Sequence, residues 1–177
     1  SYPILNPLLR ISVGKWRKSI LRGLHPGSWE KSLLKSIISL EDGNKIASLK
    51  HSEFALLAIQ RLFTERKISI PLAIYLYRET VLVRWPLLLP QNPDQALFEA
   101  QGIVEFVKLY KVKTCVHPDH IDTLNDLLEY VQIGHKHIRH PKSKKQRGIE
   151  LDRIMYRTRS HILRKSILEF KERFDKI

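Results

Sequence analysis

The chain has 177 residues, with 31 Lys or Arg against 18 Asp or Glu, and its formal net charge is +13. This charge favours a polyanionic partner and argues against a freely diffusing metabolic enzyme. The single cysteine, Cys115, excludes a disulfide framework and a zinc site built from several cysteines. No apolar stretch reaches the roughly 18–20 residues of a membrane span, so no membrane span is expected.

Charge is distributed unevenly, and we divide the one expected domain into four segments. Residues 1–28 form a basic N-terminal arm and helix without an acidic side chain, and residues 29–134 form a nearly neutral helical body. Residues 135–148, again without an acid, are predicted as a basic loop, and residues 149–177 as one long basic C-terminal helix. This pattern is typical of a folded body that carries basic contact surfaces.

Helical periodicity and capping residues predict a mainly α fold, a single irregular bundle of about six to seven helices. The first four predicted helices cover residues 13–24, 29–40, 52–66 and 71–85. Ser28 is expected to cap the second helix, and Phe54 and Leu57 are expected to be buried in the third. Pro86 is expected to end the fourth helix, because a residue before proline disfavours the α conformation, and residues 87–91 are expected to form a loop.

Two further helix starts combine a capping side chain, a proline in the first turn and an acid near the positive end of the helix dipole: Asn92-Pro93-Asp94 and His117-Pro118-Asp119. The second of these helices is predicted to end at Gly134. Between the two helices, residues 111–116 alternate enough to predict a short extended piece. Trp29 and Trp85, at helix boundaries, are expected in the core.

Basic residues in three segments are predicted to contact nucleic-acid phosphates with little base specificity. The N-terminal segment and the basic loop carry no acids, and the last helix has basic residues around its apolar seam. The candidate nucleic-acid-binding residues are Arg10, Lys15, Arg17, Lys18, Arg22, Lys136, Arg139, Lys142, Lys144, Lys145, Arg147, Arg153, Arg157, Arg159 and Arg164.

Catalytic alternatives are weaker. The acids at 119, 122, 126 and 129 share a helix face that would suit a divalent cation, although a solvated face or a dock for a basic partner is the simpler interpretation. Cys115 and His117 could form a catalytic nucleophile and its base, but a lone cysteine is more often a small packed apolar residue. Three histidines at 135, 137 and 140 suggest a metal site, but the neighbouring lysines would repel a metal cation. We therefore expect no enzyme, no metal site and no cofactor.

One tripeptide, Leu76-Tyr77-Arg78, resembles the motif that names the LYR-motif proteins of mitochondria, which are small helical assembly factors. The match covers only these three residues and lies mid-chain, whereas the family carries its motif near the N-terminus, so no property of that family is transferred. The composition is similar to that of many organellar ribosomal proteins. The chain starts at Ser1, which transit-peptide cleavage and methionine excision would both explain.

The sequence therefore predicts a non-enzymatic RNA-binding structural subunit of a ribonucleoprotein, with a mitochondrial ribosomal protein that contacts rRNA as the favoured form. Its partners would be RNA and neighbouring proteins of a large assembly, in the mitochondrial matrix or another reducing intracellular compartment. One alternative is a protein–protein adaptor that docks through the acidic helix face and the apolar residues 87–89. Others are a viral or defence subunit that packages nucleic acid, and an enzyme that acts on nucleic acid.

Overall fold

The computed structural model describes residues 21–140 and 144–175, which form an all-α bundle. This confirms the predicted mainly α fold, and the part of the chain that is described contains no strand. Most of the helix predicted over residues 13–24 lies outside it. The elements are α1 (Trp29–Glu41), α2 (Lys45–Thr64), α3 (Ile70–Gln91), α4 (Pro93–Leu109), the 3-10 turn Val112–Thr114, α5 (Pro118–Arg139), α6 (Lys144–Arg157) and α7 (His161–Asp175).

Each helix from α1 to α5 begins at a side chain that caps a backbone N–H of the first turn. The capping residues are Ser28, Asn44, Ser69, Asn92 and His117. Each side chain satisfies one N–H group that has no partner within its helix. The predicted starts at Ser28, Asn92 and His117 are thus confirmed, whereas α2 begins seven residues before its predicted start, because Asn44 provides an earlier cap.

Helix α3 is the centre of the bundle and packs against α1, α2, α4, α5 and α7. Its buried residues point in all directions around the helix axis, as expected for a helix with neighbours on every side. Trp29 and Trp85 are fully buried, as predicted. The Trp29 indole Nε1 donates a 2.7 Å hydrogen bond to the Thr80 hydroxyl and so joins α1 to α3.

The predicted end of α3 at Pro86 is wrong. The helix continues through Pro86 and Pro90 to Gln91, and the expected loop over residues 87–91 is its last turn and a half. Leu88 and Leu89 are buried there. Burial of these side chains outweighs the backbone hydrogen bonds that each proline removes. Residues 87–89 therefore do not form the exposed apolar loop that the adaptor hypothesis used.

Helix α5 does not end at Gly134 but runs on to Arg139, and α6 begins at Lys144. The predicted basic loop over residues 135–148 is therefore wrong, since only residues 140–143 lie between the two helices. A Cβ atom built on Gly134 would lie 2.6 Å from Leu89 Cδ2 and 3.4 Å from Phe170 Cζ. The glycine thus serves close packing of α5 against α3 and α7, and not termination of a helix.

The long C-terminal helix predicted over residues 149–177 is also wrong, because it is broken into α6 and α7 around Thr158–Ser160. The Thr158 hydroxyl accepts a hydrogen bond from the Ser160 N–H at 3.2 Å. The Ser160 hydroxyl accepts one from the Leu163 N–H at 3.2 Å and so caps α7. Hydroxyl side chains that compete for backbone groups in this way end a helix that its apolar periodicity alone would continue.

Two smaller predictions fail as well. Residues 111–116 contain the 3-10 turn and not an extended piece, and Lys111 before it has a φ of +50°. Phe54 and Leu57 of α2 are 46% and 52% exposed and not buried. The face of α2 that packs on its neighbours carries small side chains instead, among them Ser48, Ala55 and Ala58.

A buried ionic cluster joins α2, α3 and α4. The guanidinium of Arg84 binds the carboxylate of Glu99 through two hydrogen bonds, Nε to Oε1 at 2.7 Å and Nη2 to Oε2 at 2.8 Å. Its Nη1 also donates to the Leu49 carbonyl oxygen at 2.8 Å and to the Ser52 hydroxyl at 3.0 Å. Trp85 Nε1 donates to Glu99 at 3.3 Å. The charges are therefore matched inside the protein, as buried ions require.

Tyr77 makes the stability of the bundle sensitive to alkaline pH. Burial raises the pKa of its phenol to about 12, whereas an unfolded chain titrates near 10. Between about pH 10 and 12 only the unfolded state loses this proton, so the free energy of unfolding should fall by up to about 2.7 kcal/mol as pH rises. Urea unfolding across this pH range should show a smaller fall in the free energy of unfolding for Tyr77→Phe than for the unaltered protein. Parallel pH profiles of the two proteins would contradict this.

None of the helices within residues 21–140 and 144–175 combines the length and the apolar character that crossing a bilayer would require.

Candidate nucleic-acid interface

Nine of the fifteen predicted nucleic-acid-binding residues have described side chains. Arg10, Lys15, Arg17, Lys18 and Lys142 lie outside the described residues, and of Lys144 only the backbone is described, at the start of α6. The nine form two groups. Five have partners within the chain, and four are exposed cations without an acidic partner among the residues described: Arg22, Lys136, Lys145 and Arg153.

Three of the paired arginines bind carboxylates. Arg157 binds Asp126 at 2.8 Å and Glu129 at 2.6 Å, and Arg159 binds Asp119 at 3.0 Å. Arg139 binds Asp94 at 2.6 Å. These contacts hold α6 and the following turn against α5, and the end of α5 against the start of α4. The three guanidinium groups are therefore partly neutralised, although each remains on the surface.

The other two paired arginines bind backbone carbonyl oxygens. Arg147 donates to the carbonyl oxygens of Lys136 and His140 at the end of α5. Arg164 donates to those of Met155 at 3.2 Å and Thr158 at 2.8 Å at the end of α6. Cations in these positions interact favourably with carbonyl groups at the negative end of a helix dipole.

The acidic face of α5 is part of a cleft of about 670 Å³ that Arg78, Arg157 and Arg159 also line. Burial raises the pKa of the Asp126 carboxyl, against the opposing effect of Arg157. The hydrogen bonds that Arg157 donates to the carboxylates of Glu129 and Asp126 raise the pKa of Arg157 in turn. Of the four acids predicted as a cation site or a dock for a basic partner, Asp119, Asp126 and Glu129 thus already have cationic partners from the same chain.

The histidines proposed as metal ligands point to different neighbours. His135 binds Asp94 at 2.8 Å, which together with the hydrogen bond from Arg139 lowers the pKa of that carboxyl. His137 is buried against the Phe170 ring. In the described part of the chain, no three His, Cys, Asp or Glu side chains are placed to hold a metal ion.

Cys115 is exposed, so the interpretation of it as a packed apolar residue is wrong. It sits beside the 3-10 turn, where its thiol donates to the Val112 carbonyl oxygen at 3.5 Å. The nearby His117 accepts a hydrogen bond at its Nδ1 from the Asp119 N–H at 3.3 Å and caps α5. The hydrogen bond that the structure shows for His117 is therefore a helix cap.

The outer face of α6 brings basic and exposed apolar residues together. Lys145, Ile149, Arg153 and Tyr156 recur at helical spacing on the side opposite the buried Leu151 and Ile154, and we call these four residues the α6 stripe. Tyr156 is 81% exposed and Ile149 is 56% exposed. Of the two described acids of α6, Asp152 binds Lys171, and Glu150 lies three residues before Arg153. The stripe thus places an exposed aromatic ring on the same helix face as two basic side chains, and rings with nearby cations are typical of surfaces that bind nucleic acid.

A second basic surface was missed in the sequence. Lys31 and Lys35 of α1 and His51 and Arg61 of α2 line a groove of about 390 Å³ together with the exposed Phe54. The signal was available, because Lys31 and Lys35 lie four residues apart on one helix face. It was overlooked because residues 29–134 are close to neutral as a whole.

No protein-family model matches the sequence, and neither a curated protein nor a solved structure matches it significantly. The class of protein that the structure defines is an all-α bundle with basic surface patches, and its function has to be inferred from its own residues.

Proposed function

We propose that this protein is a non-enzymatic RNA-binding subunit of a ribonucleoprotein and that the α6 stripe contacts RNA phosphates. The observation that carries the proposal is that exposed Lys145, Arg153 and Tyr156 share one helix face, in a chain of net charge +13. The composition further favours a mitochondrial ribosomal protein as the particular form.

In this proposal the two sides of α6 have different tasks. The inner side buries Leu151 and Ile154 in the bundle, and Arg157 at the end of α6 is held by the acids of α5. The helix is thereby fixed in orientation before RNA arrives. Lys145 and Arg153 replace counterions along the phosphate backbone, and Tyr156 offers a flat face to an unpaired base. Such contacts position RNA without reading its sequence.

The salt dependence of RNA affinity tests the proposal. Fluorescence anisotropy with a labelled RNA hairpin should give a dissociation constant that rises steeply between about 50 and 200 mM salt. The double variant Lys145→Glu/Arg153→Glu should bind more weakly and show a salt slope smaller by about 2, because two phosphate contacts are lost.

The matched control makes the same change of charge elsewhere. Lys45→Glu/Lys113→Glu alters two exposed lysines that have no acidic partner among the described residues and lie outside the α6 stripe. It should change the slope much less than the α6 variant does. Equal slopes for the two variants, or a flat salt response of the unaltered protein, would refute a phosphate contact at α6.

A second candidate function, a protein–protein adaptor, is favoured by an apolar surface between α2, α3 and α4. Phe98 and Leu109 there are 71% and 73% exposed and lie beside Phe63, Phe106 and Tyr110. An adaptor should capture the same protein neighbours before and after the Lys145→Glu/Arg153→Glu change, whereas an RNA-bridged assembly should lose them.

A further inference from the structure

The groove between α1 and α2 is a concave cationic surface with an aromatic wall. Lys31 and Lys35 contribute from α1, and His51, Phe54 and Arg61 contribute from one face of α2. The Lys50 ammonium lies 5.9 Å from the centre of the Phe54 ring. Among the residues that the structure describes, no acidic side chain lines the groove, and the nearby acids Glu30 and Glu53 are outside its lining.

Backbone contacts fix two of the cations at one end of the groove. Arg61 Nη2 donates to the Gly27 carbonyl oxygen at 3.1 Å, and the Lys31 ammonium donates to the Leu24 carbonyl oxygen at 3.4 Å. Carbonyl partners orient these side chains without cancelling their charge. Gly27, which has a φ of +75°, forms the turn that brings its carbonyl oxygen into reach.

Serine hydrogen bonds hold together the helix pair that carries the groove. Helices α1 and α2 form a hairpin in which the Ser36 hydroxyl donates to the Ser48 carbonyl oxygen at 2.7 Å. The Ser48 hydroxyl donates to the Ser36 carbonyl oxygen at 2.8 Å. This reciprocal pair draws the two backbones together and leaves the larger side chains, Phe54 and Leu57, on the exposed side. A preorganised surface loses little entropy when a ligand binds.

We propose that the α1–α2 groove binds a single-stranded segment of RNA, with Lys31, Lys35 and Arg61 contacting phosphates and the Phe54 ring stacking on a base. This inference rests on the proposed RNA-binding function and adds a second, strand-specific surface to it. Three cations would track the backbone, and one exposed ring would accept any base, since every base has a π face.

The local charge also acts on the imidazole of His51. Burial lowers the pKa of this imidazole, and the charges of Lys35 on α1 and Lys50 on α2 lower it further. Lys31 and Arg61 line the same groove. A phosphate in the groove would offset these positive charges and raise the pKa of His51. The imidazole therefore reports on occupancy at this site.

The aromatic wall favours RNA over an acidic peptide. Carboxylates would satisfy the cations, but a peptide of acidic residues alone, such as polyglutamate, has no ring to place on Phe54. A nucleotide supplies both the anionic group and the flat apolar face within one monomer. The two ligands are distinguished by Phe54→Ala. Loss of the ring should weaken RNA binding and leave binding of an acidic peptide nearly unchanged.

The test compares two variants of the full chain, with oligouridylate and a blunt RNA duplex as probes. Phe54→Ala should weaken binding of the oligouridylate about tenfold, as loss of one stacked base implies, and should leave duplex binding unchanged. Phe98→Ala removes another exposed ring, far more exposed than Phe54 and outside the groove, and should alter neither. In the unaltered protein, oligouridylate should also raise the pKa of His51, followed by NMR and assigned with His51→Gln.

Each other result has a defined meaning. If oligouridylate binds equally to Phe54→Ala and to the unaltered protein, the groove inference is overturned, while α6-dependent duplex binding would leave the proposed function standing. If neither RNA binds the unaltered protein, both proposals fail. If polyglutamate raises the pKa of His51 and oligouridylate does not, the groove is a site for acidic peptides and the inference is wrong.

Discussion

Replacing Arg84 by methionine is expected to lower the free energy of unfolding by about 3–5 kcal/mol, because it leaves a carboxylate buried without its cation. The side chains of Arg84 and Glu99 are only 6% and 13% exposed. Arg84 also donates to Leu49 and Ser52, so the change breaks links from α3 to both α4 and α2. Urea denaturation followed by circular dichroism measures the loss.

Two companion variants identify the cause. Lys67→Met breaks the Lys67–Glu65 pair, whose side chains are largely in solvent, and should cost less than about 1 kcal/mol. Arg84→Met/Glu99→Met removes both buried charges and should cost less than Arg84→Met alone, since no carboxylate is left unpaired. If Arg84→Met cost no more than Lys67→Met, the ionic cluster would contribute little to stability.

Replacing Gly134 by valine is expected to destabilise the bundle by about 3 kcal/mol through overpacking. The new Cβ would meet Leu89 Cδ2 at 2.6 Å, and Leu89 is fully buried, so its side chain has no open space into which to move. Valine is a slightly better helix former than glycine, and this small gain does not offset the clash. Thermal and urea unfolding should both show the loss.

The matched control is Gly102→Val in α4. Gly102 is also inside a helix, but a Cβ there would meet nothing within 4 Å. Its effect should stay within about 0.5 kcal/mol, because only intrinsic helix propensity changes. Similar losses at both positions would indicate that valine itself, and not the close approach of α5 to α3, is responsible.

The N-terminal ends of the helices were more predictable from the sequence than their C-terminal ends. Caps such as Ser28 and Asn92 act through hydrogen bonds within one turn, so local sequence contains the necessary information. The ends at Pro86 and Gly134 depend on tertiary packing instead. Pro86 is tolerated because α3 is buried on all sides, and Gly134 is needed because α3 and α7 approach it. A single sequence does not contain these distances.

The candidate site was predictable in part, for a related reason. Net charge and the basic character of α6 were visible in the sequence, and Lys145 and Arg153 are indeed exposed. The pairing of Arg157 and Arg159 with acids of α5 was not visible, because the partners lie 28 to 40 residues away in the chain. Charge along the sequence therefore overestimated the number of cations that are free to contact a ligand.

The packing order of the helices has a consequence for how the chain folds. Each of the pairs α1–α2, α2–α3, α3–α4, α4–α5, α5–α6 and α6–α7 is in contact, so the chain closes short loops one after another. Contacts between helices that are neighbours in the sequence favour fast folding. Among the main packing contacts, the contact of α3 with α7 joins the helices that are farthest apart in the sequence. Folding should therefore finish when the last helix docks and covers the central one.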